Sequence, residues 1–256
     1  MRIVRFKAGG KVRYGILEGT HIVEYSGTPL GTFKRGRKKF PLKQVVLLAP
    51  VLPSKIVAVG RNYRDHAEEV NLPVPEEPIL FIKPSTSLVG PGDPIVYPPV
   101  CHRLDYEAEL AIVIKKRCRS VPEERAAEFI LGYTCLNDVT ARDLQHKDGQ
   151  WSRAKSFDTF CPIGPCIATH MNANAVDIEA YLNGEQKQSS NTKHFIFLVE
   201  SLVAYVSEVM TLLPGDVIST GTPAGVGPMR PGDEIEIRIE GIGSLKNRVV
   251  AVGGRS

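Results

Sequence analysis

Over residues 1 to about 48, apolar and polar positions alternate in short runs: Arg2-Ile3-Val4-Arg5-Phe6, Val12-Arg13-Tyr14-Gly15-Ile16-Leu17 and His21-Ile22-Val23-Glu24-Tyr25. A period of two predicts strands, and Gly9-Gly10 and Gly19-Thr20 between the runs predict hairpin turns. Ala49-Pro50-Val51-Leu52-Pro53 breaks the pattern as a linker with two prolines. A meander this short cannot build a large core, so residues 1–48 read as a small N-terminal β accessory domain packed on a main domain over 53–256.

The main domain opens with the apolar run Lys55-Ile56-Val57-Ala58-Val59-Gly60. Leu104 to Ile114 reads as one strand whose second half, all aliphatic, is buried on both faces. Ser120-Val121-Pro122-Glu123 has capping-box spacing and predicts a helix to about Leu131. Phe195, Leu198, Val199, Leu202, Val203, Val206 and Met210 recur at helical spacing and predict a second helix. Pro-Gly-Asp recurs at 91, 214 and 231, each time as a turn that feeds a strand. Many short strands with few helices predict a β-rich α+β fold, without alternating βαβ units.

Composition changes little in this picture. The chain has 256 residues, 43% hydrophobic and 23% charged, with a net charge of +4. Its basic runs, Lys34 to Lys39 and Lys115 to Arg117, read as solvated charge in a loop and at a strand end, with no aromatic interleaving that would point to nucleic acid. Five cysteines without CxxC spacing, and no N-terminal signal segment, predict buried thiols in a reducing cytoplasm. No apolar stretch is long enough for a membrane span.

The candidate chemistry lies in five segments. Glu107 and Glu109 alternate on one strand, so both point the same way, roughly 6–7 Å apart at Cα. Such a pair is either a wet strand face or one side of a site for a hard divalent cation. If Leu136 to Gln145 is helical, Asp138, Arg142 and Gln145 share a face, and Asp138 could supply a third oxygen ligand. Lys155, taken alone, reads as a surface lysine ahead of a turn at Cys161-Pro162-Ile163-Gly164-Pro165. His66 and Glu69 fit i, i+3 on one helical turn, where the carboxylate would orient the imidazole as a general base. The loop Ser219 to Pro228 offers hydroxyl and backbone donors but lacks the lysine of a phosphate-binding loop.

Together these segments resemble the fumarylacetoacetate hydrolase family. The resemblance rests on Gly60-Arg61-Asn62-Tyr63, Phe81-Ile82-Lys83-Pro84, Glu107-x-Glu109, Asp138 with Thr140-Ala141-Arg142-Asp143, Ala154-Lys155-Ser156-Phe157 and Thr220-Gly221-Thr222-Pro223-x-Gly225-Val226-Gly227. It implies a mixed β-sandwich or β-roll core, a homodimer, and Mg²⁺ or Mn²⁺ held by Glu107, Glu109 and Asp138. It further implies catalytic roles for His66, Glu69 and Lys155, and substrate contacts from Arg61, Tyr63, Lys83, Arg142, Gln145 and Thr222.

A cation on three carboxylates can act as Lewis acid toward a 2-oxo carboxylate and stabilise the enolate formed when the C3 bond breaks. That predicts a Mg²⁺-dependent hydrolase of acylpyruvate-type 2,4-dioxo acids, able also to decarboxylate oxaloacetate. An isomerase of 2-hydroxydienedioates in aromatic catabolism is the alternative, and an inactive homodimer that binds an oxo-acid is the reading from another class. Specificity is expected from a lid at Asn71-Leu72-Pro73-Val74-Pro75 and from the N-terminal unit. No arginine cluster in that stretch calls for a second carboxylate at the far end of the substrate.

Overall fold

The computed structural model describes residues 1–69, 71 and 73–253. Leu72 of the expected lid and the last three residues of the main domain lie outside the described residues. The fold is strand-rich α+β, with three sheets among the described residues.

The largest sheet runs from Phe33–Pro41 through His21–Gly27, Lys11–Glu18 and Arg2–Ala8 into Cys161–Ala168, Ile130–Asn137, Ala108–Ile114, Val217–Ser219, Ile56–Gly60 and Ile79–Lys83. The N-terminal meander is therefore continuous with the main sheet, through the pairs Arg2↔Ala168 and Ile3↔Ile167. A five-stranded sheet orders Glu185–Asn191, Asp177–Leu182, Glu234–Ile239, Gly243–Ala251 and Ile95–Tyr97. A small sheet joins Thr140–Ala141, Leu104–Tyr106 and Gly227–Met229.

The aliphatic run is buried on both faces because two cores meet across it. Leu110, Ile112 and Ile114 face the five-stranded sheet with Ile178, Ile235, Ile237 and Leu245. Ala111 and Val113 face the opposite way, against Ile3, Ile16, Val51 and Ile163. Burial of these side chains from both sides stabilises the strand by roughly 1.5–3 kcal/mol per large aliphatic residue.

The three Pro-Gly-Asp turns share one geometry. Gly92, Gly215 and Gly232 have φ of 81°, 88° and 103°, where a side chain is costly. In each, the aspartate accepts from the backbone N–H of the residue before the proline, at 2.7–2.8 Å. Asp216 does more than the others. Its Oδ1 also accepts from Ser54 N at 3.1 Å and Ser54 Oγ at 2.6 Å, and its Oδ2 pairs with Lys55 Nζ. The strand after the proline linker is thereby pinned to the C-terminal half.

Several elements differ from the sequence expectation. The basic run Lys34 to Lys39 is not a loop but lies in Phe33–Pro41, the outermost strand of the large sheet. The segment Cys161–Ala168 is a strand, not a turn; its prolines lose little because bulged pairing with Ile130–Asn137 leaves gaps in the ladder. The capped helix from Ser120 is a 3₁₀ helix over Glu123–Phe129. Ser120 sits at φ 49°, outside the extended conformation an N-cap needs. The second helix starts only at Val199 and ends at Val209. Its expected first turn is held extended by Asn62, whose Oδ1 accepts from Phe197 N at 2.8 Å and whose backbone carbonyl accepts from Ile196 N at 2.8 Å. All five cysteines are buried and unpaired. Among the described residues, no helix is long and apolar enough to cross a membrane.

Candidate metal centre and active site

The expected strand from Leu104 to Ile114 is two strands, Leu104–Tyr106 in the small sheet and Ala108–Ile114 in the large one. Glu107 stands at the crossing between them. There the ladder is interrupted, and side chains take over its donors: Glu107 N donates to Asn137 Oδ1 and Ala108 N to Gln188 Oε1, both at 3.0 Å. The interruption lets Asp138 approach. Asp138 is not on a helix; it lies between the strands Ile130–Asn137 and Thr140–Ala141, and its N–H donates to the Glu107 carbonyl at 2.9 Å.

Glu107, Glu109 and Asp138 each offer an oxygen, all within 4.8 Å of one another, and all three residues are buried. Three carboxylates so close repel unless cations separate them. Protein cations supply part of that balance. Lys155 Nζ bridges Glu107 Oε2 and Asp138 Oδ2 at 2.7 Å each, and Lys83 Nζ donates to Asp138 Oδ1 at 2.6 Å. Arg142 donates to Glu107 Oε1 at 2.5 Å and to Asp105 Oδ2 at 2.9 Å.

The electrostatics differ across the triad. Burial pushes Glu107 up, but the charges of Lys155 and Arg142 outweigh it and hold the carboxyl well below the usual range. Glu109 is pushed well above that range by burial and by Asp138 and Glu107 beside it. Among the described residues, Ser219 Oγ and Gly221 N are the donors to Glu109, both at Oε2. Burial would depress Lys155, yet Asp138 and Glu107 keep its ammonium above the ordinary lysine value. The wet-strand reading of the glutamate pair fails here, and so does the surface reading of Lys155, which is only 2% exposed. An all-oxygen donor set, one carboxylate of which makes no ion pair among the described residues, fits a hard divalent ion.

A cavity of about 600 Å³ opens over the triad. Arg61, His66, Glu69, Arg142, Gln145, Lys155 and Thr222 line it together with the three carboxylates. His66 and Glu69 belong to one helix, Arg64–Glu69, and His66 Nδ1 meets Glu69 Oε2 at 2.9 Å. Glu69 Oε1 accepts from Gly225 N at 2.9 Å. Two expected substrate contacts do not reach the cavity. Lys83 is fully buried and holds Asp138 and the Lys155 carbonyl. Tyr63 is fully buried, edge-on to Phe195 with 4.9 Å between centroids.

Sequence reasoning missed several neighbours. Asp105, fully buried, accepts from both Arg103 and Arg142; its place two residues before Glu107 was a readable signal. Arg103, His146, Phe81 and Trp151 also line the cavity. Arg61, Arg103, Arg142 and His146 thus form the basic wall that the linear sequence, scattering them over three segments, did not display.

The chain matches the model of the fumarylacetoacetate (FAA) hydrolase C-terminal family over residues 55–250, and an Rv2993c-like N-terminal model over residues 1–50. A 5-carboxymethyl-2-hydroxymuconate delta-isomerase from Mycobacterium smegmatis is 47% identical, with a TM-score of 0.92 over 98% of this chain and all of that one. A mitochondrial oxaloacetate tautomerase of Rattus norvegicus is 44% identical over 222 residues, 82% of this chain and 71% of the rat protein. A maleylpyruvate hydrolase from Sphingobium, solved with manganese(II) and pyruvate, is 33% identical, with a TM-score of 0.82 over 98% and 99% of the two chains.

Proposed function

Since the chain belongs to the fumarylacetoacetate hydrolase family, whose members are metal-dependent hydrolases and isomerases, we propose that it is a Mg²⁺- or Mn²⁺-dependent hydrolase of the C3–C4 bond in acylpyruvate-type 2,4-dioxo acids. The observation that carries this reading is the His66–Glu69 dyad facing the three carboxylates across one cavity.

Glu107, Glu109 and Asp138 would hold the cation, which when bound polarises the keto and carboxylate oxygens of a 2-oxo acid. The residues of the chain do the rest. Glu69 accepts from His66 Nδ1–H and so leaves the Nε2 lone pair free as base. That nitrogen takes a proton from water, and the hydroxide adds to the C4 carbonyl carbon. The C3–C4 bond then breaks, its electron pair goes to the enolate of pyruvate, and the acyl half leaves as a carboxylic acid. The proton taken up at His66 Nε2 goes to C3, which completes pyruvate and restores the base. Lys155 and Arg142 place positive charge beside the enolate oxygen and the carboxylate, and Thr222 and Gln145 add neutral hydrogen bonds.

A second reading is tautomerisation or isomerisation of 2-oxo dicarboxylic acids at the same site. The basic wall of Arg61, Arg103 and His146 supports it, because a second carboxylate could pair there. The names of the Mycobacterium and rat relatives support it as well. For this reading His66 would move a proton to and from carbon without adding water.

Acylpyruvates, oxaloacetate and 2-hydroxydienedioates assayed with Mg²⁺, Mn²⁺ and EDTA separate the two. The hydrolase reading expects metal-dependent release of pyruvate from acylpyruvates, abolished in Glu107→Ala. It expects His66→Ala to lose hydrolysis more than decarboxylation. Turnover of dicarboxylates alone, without bond cleavage, would replace it by the second reading.

A further inference from the structure

We infer that Gln188 is a positioning residue that aims the Thr222 hydroxyl proton at the substrate and ties the Thr222 loop to the strand carrying the metal ligands. Gln188 lies on the strand Glu185–Asn191 of the five-stranded sheet and is 1% exposed, outside the cavity lining. Its Oε1 accepts from Ala108 N at 3.0 Å, and Ala108 is the residue between Glu107 and Glu109. Its Nε2 donates to Pro223 O at 2.8 Å and to Thr222 Oγ1 at 2.9 Å.

These partners fix the amide without ambiguity. Ala108 N–H can only donate and the Pro223 carbonyl can only accept, so a flipped amide would face donor with donor and acceptor with acceptor. Nε2 therefore points at Thr222, whose oxygen must accept. A hydroxyl that accepts at its lone pair keeps its proton for another partner. Thr222 is 2% exposed, lines the cavity, and has no acceptor of its own among the described residues. A substrate oxygen in the cavity can take that proton, and Gln188 keeps it available by offering Thr222 a donor instead of an acceptor. The same amide couples two halves of the site, since it bonds to both Ala108 and the Thr222–Pro223 loop. Two residues after Pro223, Gly225 N carries the Glu69 contact.

The inference rests on the reading that Thr222 faces the carboxylate end of a 2-oxo acid. Oxalate, a planar two-carboxylate mimic of a 2-oxo acid's chelating end, serves as probe in the presence of saturating Mn²⁺. Calorimetry would measure its binding to the wild type, Thr222→Val, Gln188→Met and the double variant. Thr222→Val and Gln188→Met should each weaken oxalate about ten-fold, and the double variant should be no weaker than about ten-fold. Gln188→Glu keeps an acceptor for Ala108 and removes both donors, so Thr222 turns its proton to residue 188. This variant should weaken oxalate as Gln188→Met does while its Mn²⁺ affinity stays within two-fold of wild type.

Multiplying losses in the double variant would overturn the inference, as would wild-type oxalate binding in either Thr222→Val or Gln188→Glu. Should Gln188→Met fail to fold, Gln188→Glu with its Thr222→Val double completes the cycle. A non-additive cycle in a protein that hydrolyses no acylpyruvate would keep this inference and remove the hydrolase reading alone.

Discussion

Gly225 N–H donates to Glu69 Oε1 at 2.9 Å, the carboxylate oxygen that His66 leaves unused. Both oxygens of the dyad's carboxylate are thus committed, one to a backbone donor and one to Nδ1–H. A Glu69→Gln variant could satisfy Gly225 only through its carbonyl oxygen, which turns its NH₂ toward His66. Nδ1 must then accept, the proton moves to Nε2, and the base is lost. We expect hydrolysis to fall by a factor on the order of 10²–10⁴ with little change in KM and in Mn²⁺ affinity. Steady-state kinetics with calorimetric metal titration would check this, and a KM effect without a kcat effect would count against the dyad.

Lys83 touches Asp138, not the cavity. Lys83→Met should therefore behave as the loss of a buried partner charge, destabilising the protein by about 3–5 kcal/mol without metal. The KM for a 2-oxo acid should stay near wild type once metal is saturating. Thermal unfolding with and without Mn²⁺ reads the first effect and kinetics the second. A large KM rise with normal stability would return Lys83 to the substrate contacts.

Metal binding should stabilise the folded chain, because the unfolded chain does not hold the three carboxylates together. At about 100 times its dissociation constant, Mn²⁺ is expected to add about 2.7 kcal/mol. Glu109→Gln should remove most of that gain, since among the described residues Glu109 is the carboxylate of the triad with no lysine or arginine contact. Equal stabilisation of wild type and variant would place the ion elsewhere.

Asp216 sets an acid-sensitive joint. Burial raises its pKa, but hydrogen bonds from Lys55, Ser54 and Leu213 N outweigh this and lower it from the ordinary aspartate value. A depressed folded-state pKa contributes stability that is present above the unfolded value, about 3.9, and is lost as pH falls through the folded one. Asp216→Asn should therefore be less stable than wild type at pH 7, and the gap should close as the pH drops below about 4. Denaturant unfolding across pH 3–7 measures it; a gap that widens on acidification would contradict the assignment.

Much of the site could be read from the chain because the residues concerned are close in sequence. Glu107 and Glu109 lie two apart and their carboxylates converge, although Glu107 stands just before the strand that carries Glu109, and His66 meets Glu69 through one helical turn. The Pro-Gly-Asp turns carry their own geometry in three residues. What escaped were contacts made across the fold. Asp138 was expected on a helical face with Arg142 and Gln145; Arg142 does meet Gln145 on the helix, but Asp138 lies off it and the rest of the guanidinium goes to Asp105 and Glu107. Nothing local marks Lys155 as buried, since its burial follows from the two carboxylates it bridges. Gln188, in a polar strand far from every motif, acquires its role only when that strand packs beside Ala108.

The N-terminal strands have a consequence for solubility. Arg2 and Ile3 pair with Ala168 and Ile167 and so cover the C-terminal part of the edge of Cys161–Ala168, a strand buried at nearly every position. Left open, an edge so apolar would template pairing with other copies of the chain. The meander moves the frontier of the sheet outward to Phe33–Pro41, where Lys34, Arg35, Arg37, Lys38 and Lys39 stand in a row. The basic run is thus a gatekeeper: like charges on the last strand repel a second copy at the place where an unguarded sheet would otherwise keep growing.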